Sequence, residues 1–250
     1  MPPAWTDAIA LAAILAFAGV GDALSLSPGE PSGMQISGPF GAGLSTGPDN
    51  LVLKAERVLR EEIAGLRSGR FHLVKRLPVA SGIGGGSADA AAVLRALDRR
   101  PPAPEALGAD VPVCLAGVPC RMQGVGEKLS SLPPLPPLHL VLVNPRAGLA
   151  TPAVFQRLER RDNPPMPAAL PEFPDSAALV DFLATCRNDL QAPAIALMPR
   201  IADCLAALGD AGALLTRMSG SGATCFGLFA GEARAQAAAT DLRRRAPGWW

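Results

Sequence analysis

Apolar and polar positions alternate with two different periods along the 250 residues, and each change of period marks an element. Arg70 to Leu77 (RFHLVKRL) alternates residue by residue, which predicts a half-buried strand. In Asp49 to Leu66, Leu51, Ala55, Val58, Leu59 and Glu62 recur at helical spacing with one polar exception, which predicts an amphipathic helix. Ser87 to Asp98 (SADAAAVLRALD) predicts another helix, with Ser87 as its N-cap and Asp89 in its first turn. Pro78 to Gly86 is a glycine-rich loop between that strand and helix.

Leu132 to Leu138 (LPPLPPL) has the pattern of an SH3-type ligand or of a stiff connector between two folded halves, of which the connector is the commoner. After it, strands are predicted at His139 to Val143, Leu214 to Met218 and Thr224 to Phe229. Helices are predicted at Thr151 to Leu158, Ser176 to Thr185, Met198 to Leu208 and Gly231 to Arg245. The first of these opens with Thr151 capping and Pro152 in the first position. Strands and helices mix on both sides of the connector, which predicts an α+β protein in two layers, divided into residues 1–135 and 136–250. Ala8 to Val20 is uncharged and apolar but too short to span a bilayer, and its flank MPPAWTD carries no basic residue. It is expected to be a buried helix or strand, not a secretory signal.

Composition narrows the possible functions. Hydrophobic residues at 49% against 18% charged exclude a charge-driven disordered chain. A net charge of +1 supplies no global field, so neither nucleic acid nor a membrane is an expected partner, and any anion needs a local site. The Arg243-Arg244-Arg245 triplet falls at a predicted helix C-terminus, where cations are favourable. The five cysteines form no C-x-x-C pair, and neither His72 nor His139 lies beside a cysteine pair, so no zinc site is expected. Their odd number and scattered spacing fit reduced thiols in a cytoplasm.

The stretch with chemistry in it is PVASGIGGGSADAAA, Pro78 to Ala92. Glycines let a backbone approach a ligand closely. The unpaired N–H groups and the dipole at a helix start attract an anion, and phosphate is the natural one. The loop holds no lysine, so it is not a Walker A loop, and Ser87 stands where a dinucleotide fingerprint needs its last glycine. A plain glycine-rich turn would have the same local pattern.

KRLPVASGIGGGSADAAA resembles the nucleotide-binding motif of the GHMP kinases. Further segments match that family in order: FAGVGDALSL, DNLVLKA, LGADVPVCLAG, GVGEKL, VNPRAGLATPAVF, RNDLQAPA and RMSGSGATCFGLF, from about Phe17 to the end of the chain. The resemblance implies an N-terminal ribosomal-protein-S5-like half and a C-terminal ferredoxin-like half with the site between them. It implies ATP and Mg²⁺ as cofactors and a small-molecule acceptor of the cytidyl-methylerythritol type. Pro78, Val79, Ala80, Ser81, Gly82, Ile83, Gly84, Gly85, Gly86, Ser87 and Ala88 would then cradle the ATP phosphates, with Ser87 near the metal. Asp110 would take the proton from the accepting hydroxyl, and Gly220, Ser221 and Gly222 would form a glycine turn lining the cleft. Without the resemblance, Asp110 reads as a turn aspartate ahead of Val111-Pro112.

The chain departs from the family pattern in three places. Nothing upstream of FAGVGD has the form A-K-[IV]-N-L, no lysine precedes Lys54, and there is no tyrosine. Lys75 lies where the family also carries a basic strand residue, so it is not expected to replace the missing lysine. Only Asp98 to Ala106 separates the helix from LGAD, and the chain stops at Trp249-Trp250, where a further strand is expected. An impaired acceptor site is therefore one expectation. A nucleotide-binding remnant without activity and a kinase for another small alcohol are the competing readings.

Overall fold

The structure is a computed structural model and describes residues 12–124, 126–164, 166–167 and 169–250. These residues form two compact units, one of residues 12–79 and 84–131, the other of residues 80–83 and 132–250.

The first unit carries two three-stranded sheets. One has the order β1 (Ala12–Leu15), β5 (Cys120–Gln123), β6 (Lys128–Ser131), all antiparallel. The other has β4 (Gly69–Val74) at its centre, antiparallel to β2 (Ala23–Pro28) and parallel to β3 (Gly33–Ser37). Phe71 and Leu73 point inward from β4 and are fully or almost fully buried, as the alternation predicts. The apolar run near the N-terminus divides: Ala12–Leu15 is a strand, while Phe17 and Val20 lie in an exposed loop and Ala8 to Leu11 fall outside the described residues.

Helix α1 (Leu51–Glu62) starts where the side chain of Asn50 accepts from the N–H of Val52. Its buried face is Val52, Ala55, Glu56 and Leu59, so the polar exception is Glu56 and not the exposed Glu62. Both Glu56 oxygens accept from the Ser32 hydroxyl, which meets part of the cost of that burial. Helix α2 (Gly85–Ala96) begins two residues earlier than the sequence suggests. Gly84 is its N-cap with a left-handed φ of 68°, and Ser87 is the third helical residue and not the cap. Helix α3 (Val111–Ala116) packs on α2, and Val52, Leu59, Phe71, Val93, Leu94 and Val111 meet in one core.

In the second unit β9 (Cys225–Phe229) lies between β7 (His139–Val143) and β8 (Leu215–Met218), all antiparallel. Helices α7 (Arg200–Asp210) and α8 (Glu232–Arg245) pack on this sheet, and α4 (Thr151–Gln156) packs on α6 (Gln191–Leu197). Helix α5 (Ser176–Thr185) is capped by Asp175, whose carboxylate accepts from the N–H of Ala178. Ala150, in an extended conformation, is the N-cap of α4 and not Thr151, which is the first helical residue and whose hydroxyl is hydrogen-bonded to Ser221 Oγ at 2.7 Å. Trp250 and Asn144 exchange both backbone hydrogen bonds, at 2.9 Å each, so the last residue pairs one position past β7. No single helix among the described residues is long and apolar enough to cross a membrane.

Candidate active site

The glycine loop is built from two kinds of contact. Its tip, residues 80–83, belongs to the second unit and lies against the turn between β8 and β9. The N–H of Thr224 donates to Ser81 O at 3.0 Å, and Ser219 Oγ donates to Gly82 O at 2.9 Å. A Cβ at Gly82 would stand 2.5 Å from Ser219 O and 2.6 Å from Gly222 O, so only a glycine fits there. The Gly220-Ser221-Gly222 turn is held in place by Asn188, whose amide donates to Met218 O at 2.9 Å and Gly220 O at 2.8 Å. Gly82 and the 220–222 glycines, which the sequence singled out separately, are thus adjacent.

The C-terminal end of the loop becomes the first turn of α2, in the first unit. Its first helical bond runs from the N–H of Ala88 to Gly84 O, so the N–H groups of Gly85, Gly86 and Ser87 have no acceptor within the helix. The helix has twelve residues, enough for a full dipole at that end. Among the described residues the Ser87 hydroxyl makes no hydrogen bond, and it is half-buried beside Gly108.

Asp110 stands against this end of the helix. A Cβ at Gly84 would lie 3.3 Å from Asp110 Oδ2. Asp110 precedes α3, yet its side chain makes no capping bond, and among the described residues nothing donates to its carboxylate. Burial therefore pushes the Asp110 carboxyl above its ordinary value, with no donor to offset it. A turn or capping aspartate would have spent its oxygens on backbone N–H groups, whereas this one is free to accept a proton. Gly126, with φ of 107°, lies directly on the backbone of Ala109, which brings the GVGEKL segment against LGAD.

The sequence did not reveal a buried charge cluster at the root of the loop. Lys75 Nζ donates to Asp22 Oδ2 at 2.6 Å and to Asp89 Oδ2 at 2.7 Å, and all three side chains are at most 6% exposed. Lys75 is thus fully engaged and not a free cation at the site. The only signal in the sequence was parity: Lys75 continues the inward positions of Phe71 and Leu73. Burial pushes the Asp89 carboxyl up to about 6, against the downward pull of Lys75. Among the described residues no cluster of three or more acidic, cysteine or histidine side chains forms a metal cage.

A glycine loop running into an unpaired helix start can receive phosphate oxygens, and a donor-free carboxylate beside it can accept a proton. Comparison with known proteins agrees. A sequence model described as GHMP kinases N terminal domain matches residues 50–101, and one described as GHMP kinases C terminal matches residues 173–248. The chain belongs to the GHMP kinase family. Within it, the chain groups with the 4-diphosphocytidyl-2-C-methyl-D-erythritol kinases. It is 62% identical to the one of Paracoccus denitrificans over 96% of this chain and 85% of that protein. It is 54% identical to one of Cereibacter sphaeroides over 96% of this chain and 88% of that protein. A crystal structure of 4-(cytidine 5'-diphospho)-2C-methyl-D-erythritol kinase superposes with a TM-score of 0.67 at 34% identity, covering 89% of this chain and 82% of the other. L. major mevalonate kinase shares the fold alone, at 16% identity and a TM-score of 0.63, over 96% of this chain and 88% of the other.

Proposed function

We propose that this chain transfers the γ-phosphoryl group of ATP to the 2-hydroxyl of 4-diphosphocytidyl-2-C-methyl-D-erythritol, a step of the non-mevalonate isoprenoid route. One observation carries the residue-level reading: the Asp110 carboxylate faces the start of α2, makes no cap and receives no hydrogen bond among the described residues. The names of the relatives, at 54 and 62% identity, support the acceptor.

In this reading Pro78 to Ala88 hold the triphosphate. The free N–H groups of Gly85, Gly86 and Ser87 and the dipole of α2 offset its charge. The Gly220-Ser221-Gly222 turn shapes the loop tip through its contact with Gly82. Asp110 accepts the proton as the O–H bond of the acceptor breaks, the oxygen bonds to γ-phosphorus, and ADP leaves with the old bridging oxygen. Mg²⁺ fits this donor set, because substrate phosphates supply much of its shell, a loop hydroxyl can supply another oxygen, and among the described residues the Ser87 hydroxyl is uncommitted. When bound it neutralises charge on the phosphate oxygens. Residues 1–135, carrying Asp110 and the stretch that contains the loop, and 136–250, carrying the glycine turn, are the two domains of this reading, although the loop tip, residues 80–83, packs with the second unit. Five free cysteines support a reducing, cytoplasmic setting.

The test is Asp110→Asn, which keeps the shape and removes the basic oxygen. It should lower turnover by about 10²–10⁴-fold and leave ATP affinity unchanged. An undiminished rate would remove Asp110 from the mechanism.

A further inference from the structure

Three buried charged side chains, Asp22, Lys75 and Asp89, meet at the root of the glycine loop. Strand β4 ends at Val74, and Lys75 follows with its backbone fixed on both sides: its N–H donates to Ser37 O at 2.8 Å, and its carbonyl accepts from Phe40 N–H at 3.1 Å. The Lys75 ammonium bridges Asp22, which precedes β2, and Asp89 on α2. The other oxygen of Asp22 accepts from the N–H of Arg76 at 2.6 Å and of Leu77 at 2.9 Å, the two residues that lead into the loop. Asp89 lies at the fifth position of α2, just beyond the loop. A Cβ on Gly85 would stand 3.4 Å from Lys75 Nζ and 3.6 Å from Asp22 Oδ2, so the cluster lies directly beside the last glycines.

Two carboxylates on one buried ammonium leave an excess negative charge, and such clusters contribute little net stability compared with apolar packing. An excess negative charge beside a phosphate site also opposes anion binding. Neither stability nor anion attraction accounts for the arrangement, whereas geometry does. We propose that Asp22, Lys75 and Asp89 are positioning residues that fix both ends of the glycine loop, residues 76–77 and 85–89, and so preset the N–H groups that receive the nucleotide phosphates. The proposal rests on the kinase reading above. Positioning errors of about 1 Å cost on the order of 10²-fold in such sites, so the effect should be large and confined to the nucleotide.

Three variants of the full chain test this: Asp22→Ala, Asp22→Asn and Asp89→Leu. ATP affinity is read by calorimetry, turnover by ADP release, and folding by a thermal melt. Asp22→Ala should weaken ATP binding by about tenfold or more and leave the acceptor KM within about twofold. Asp22→Asn should restore only part of the loss, because its amide oxygen still accepts from Arg76 and Leu77 while its NH2 group no longer accepts from Lys75. Asp89→Leu leaves Lys75 paired with Asp22 and no uncompensated charge, so it should fold and still lose about tenfold in ATP affinity. Unchanged ATP affinity in folded Asp22→Ala or Asp89→Leu overturns the proposal, as does an equal loss for both substrates. If Asp22→Ala does not fold, Asp89→Leu decides alone. A wild-type chain that binds ATP without turnover overturns the kinase reading, and the calorimetric affinities of the variants still decide the positioning role.

Discussion

Replacing Gly82 with alanine should destabilise the protein through one close approach. At Gly82 φ is 73°, and a non-glycine residue pays about 1–2 kcal/mol for that left-handed backbone. The new Cβ would also lie 2.5 Å from Ser219 O, 2.6 Å from Gly222 O and 2.7 Å from Gly222 N. All three are backbone atoms that cannot rotate away, so overpacking adds about 1–3 kcal/mol. The sum is about 2–5 kcal/mol, a large share of the ~5–15 kcal/mol that holds a folded protein together. Gly65 is the control, because its φ is 74° but nothing lies within 4 Å of its would-be Cβ. Gly65→Ala should cost only the backbone part, about 1–2 kcal/mol. Urea unfolding of both variants, compared with wild type at constant slope, isolates the contact between loop tip and turn as the difference. Equal losses in the two variants would refute it.

Three further outcomes follow from the same geometry. The rate should rise with pH as Asp110 ionises through a value above the ordinary 3.8, and Asp110→Asn should be at least as stable as wild type near neutral pH, where the buried charge is costly. Asp89 titrates near 6 in the folded protein against 3.8 for the ordinary carboxyl, so the folded state holds a proton there that the unfolded chain has released. That group's contribution to stability is greatest below about pH 4 and declines as pH rises through 6; Asp89→Asn should flatten this fall, read as urea midpoints at about pH 4.5 and about pH 7. Asn188→Ala removes the two bonds to Met218 O and Gly220 O and the one from Leu190 N–H, and should cost about 1–3 kcal/mol in the same assay.

The sequence reveals what is local. The strand His139–Val143 and the helix Ser176–Thr185 occur with the boundaries their periods predict, because each buries one face within its own stretch. The helix after the loop starts two residues early because Gly84 takes a left-handed cap that a serine signal cannot announce. Strands β5 and β6, four residues each, are too short for a period to emerge, and the parallel pairing of β3 with β4 depends on a partner 37 residues away (Gly33 with Arg70). The glycine loop between strand and helix was legible in the sequence, but a plain glycine-rich turn has the same local pattern, and the family resemblance is what pointed to a nucleotide. Asp110 was not legible: its spacing suggests a turn, and only the family resemblance singled it out. Asp22 and Lys75 meet across 53 residues, which no local pattern encodes.

The most direct test is ADP release from Mg-ATP by this chain, with and without 4-diphosphocytidyl-2-C-methyl-D-erythritol. Release that depends on the acceptor, saturates with it and is lost in Asp110→Asn is the predicted result. A folded chain that binds ATP but releases no ADP with this acceptor would contradict the account and identify a nucleotide-binding remnant. Release driven instead by homoserine, mevalonate or a sugar would assign the same site to another alcohol.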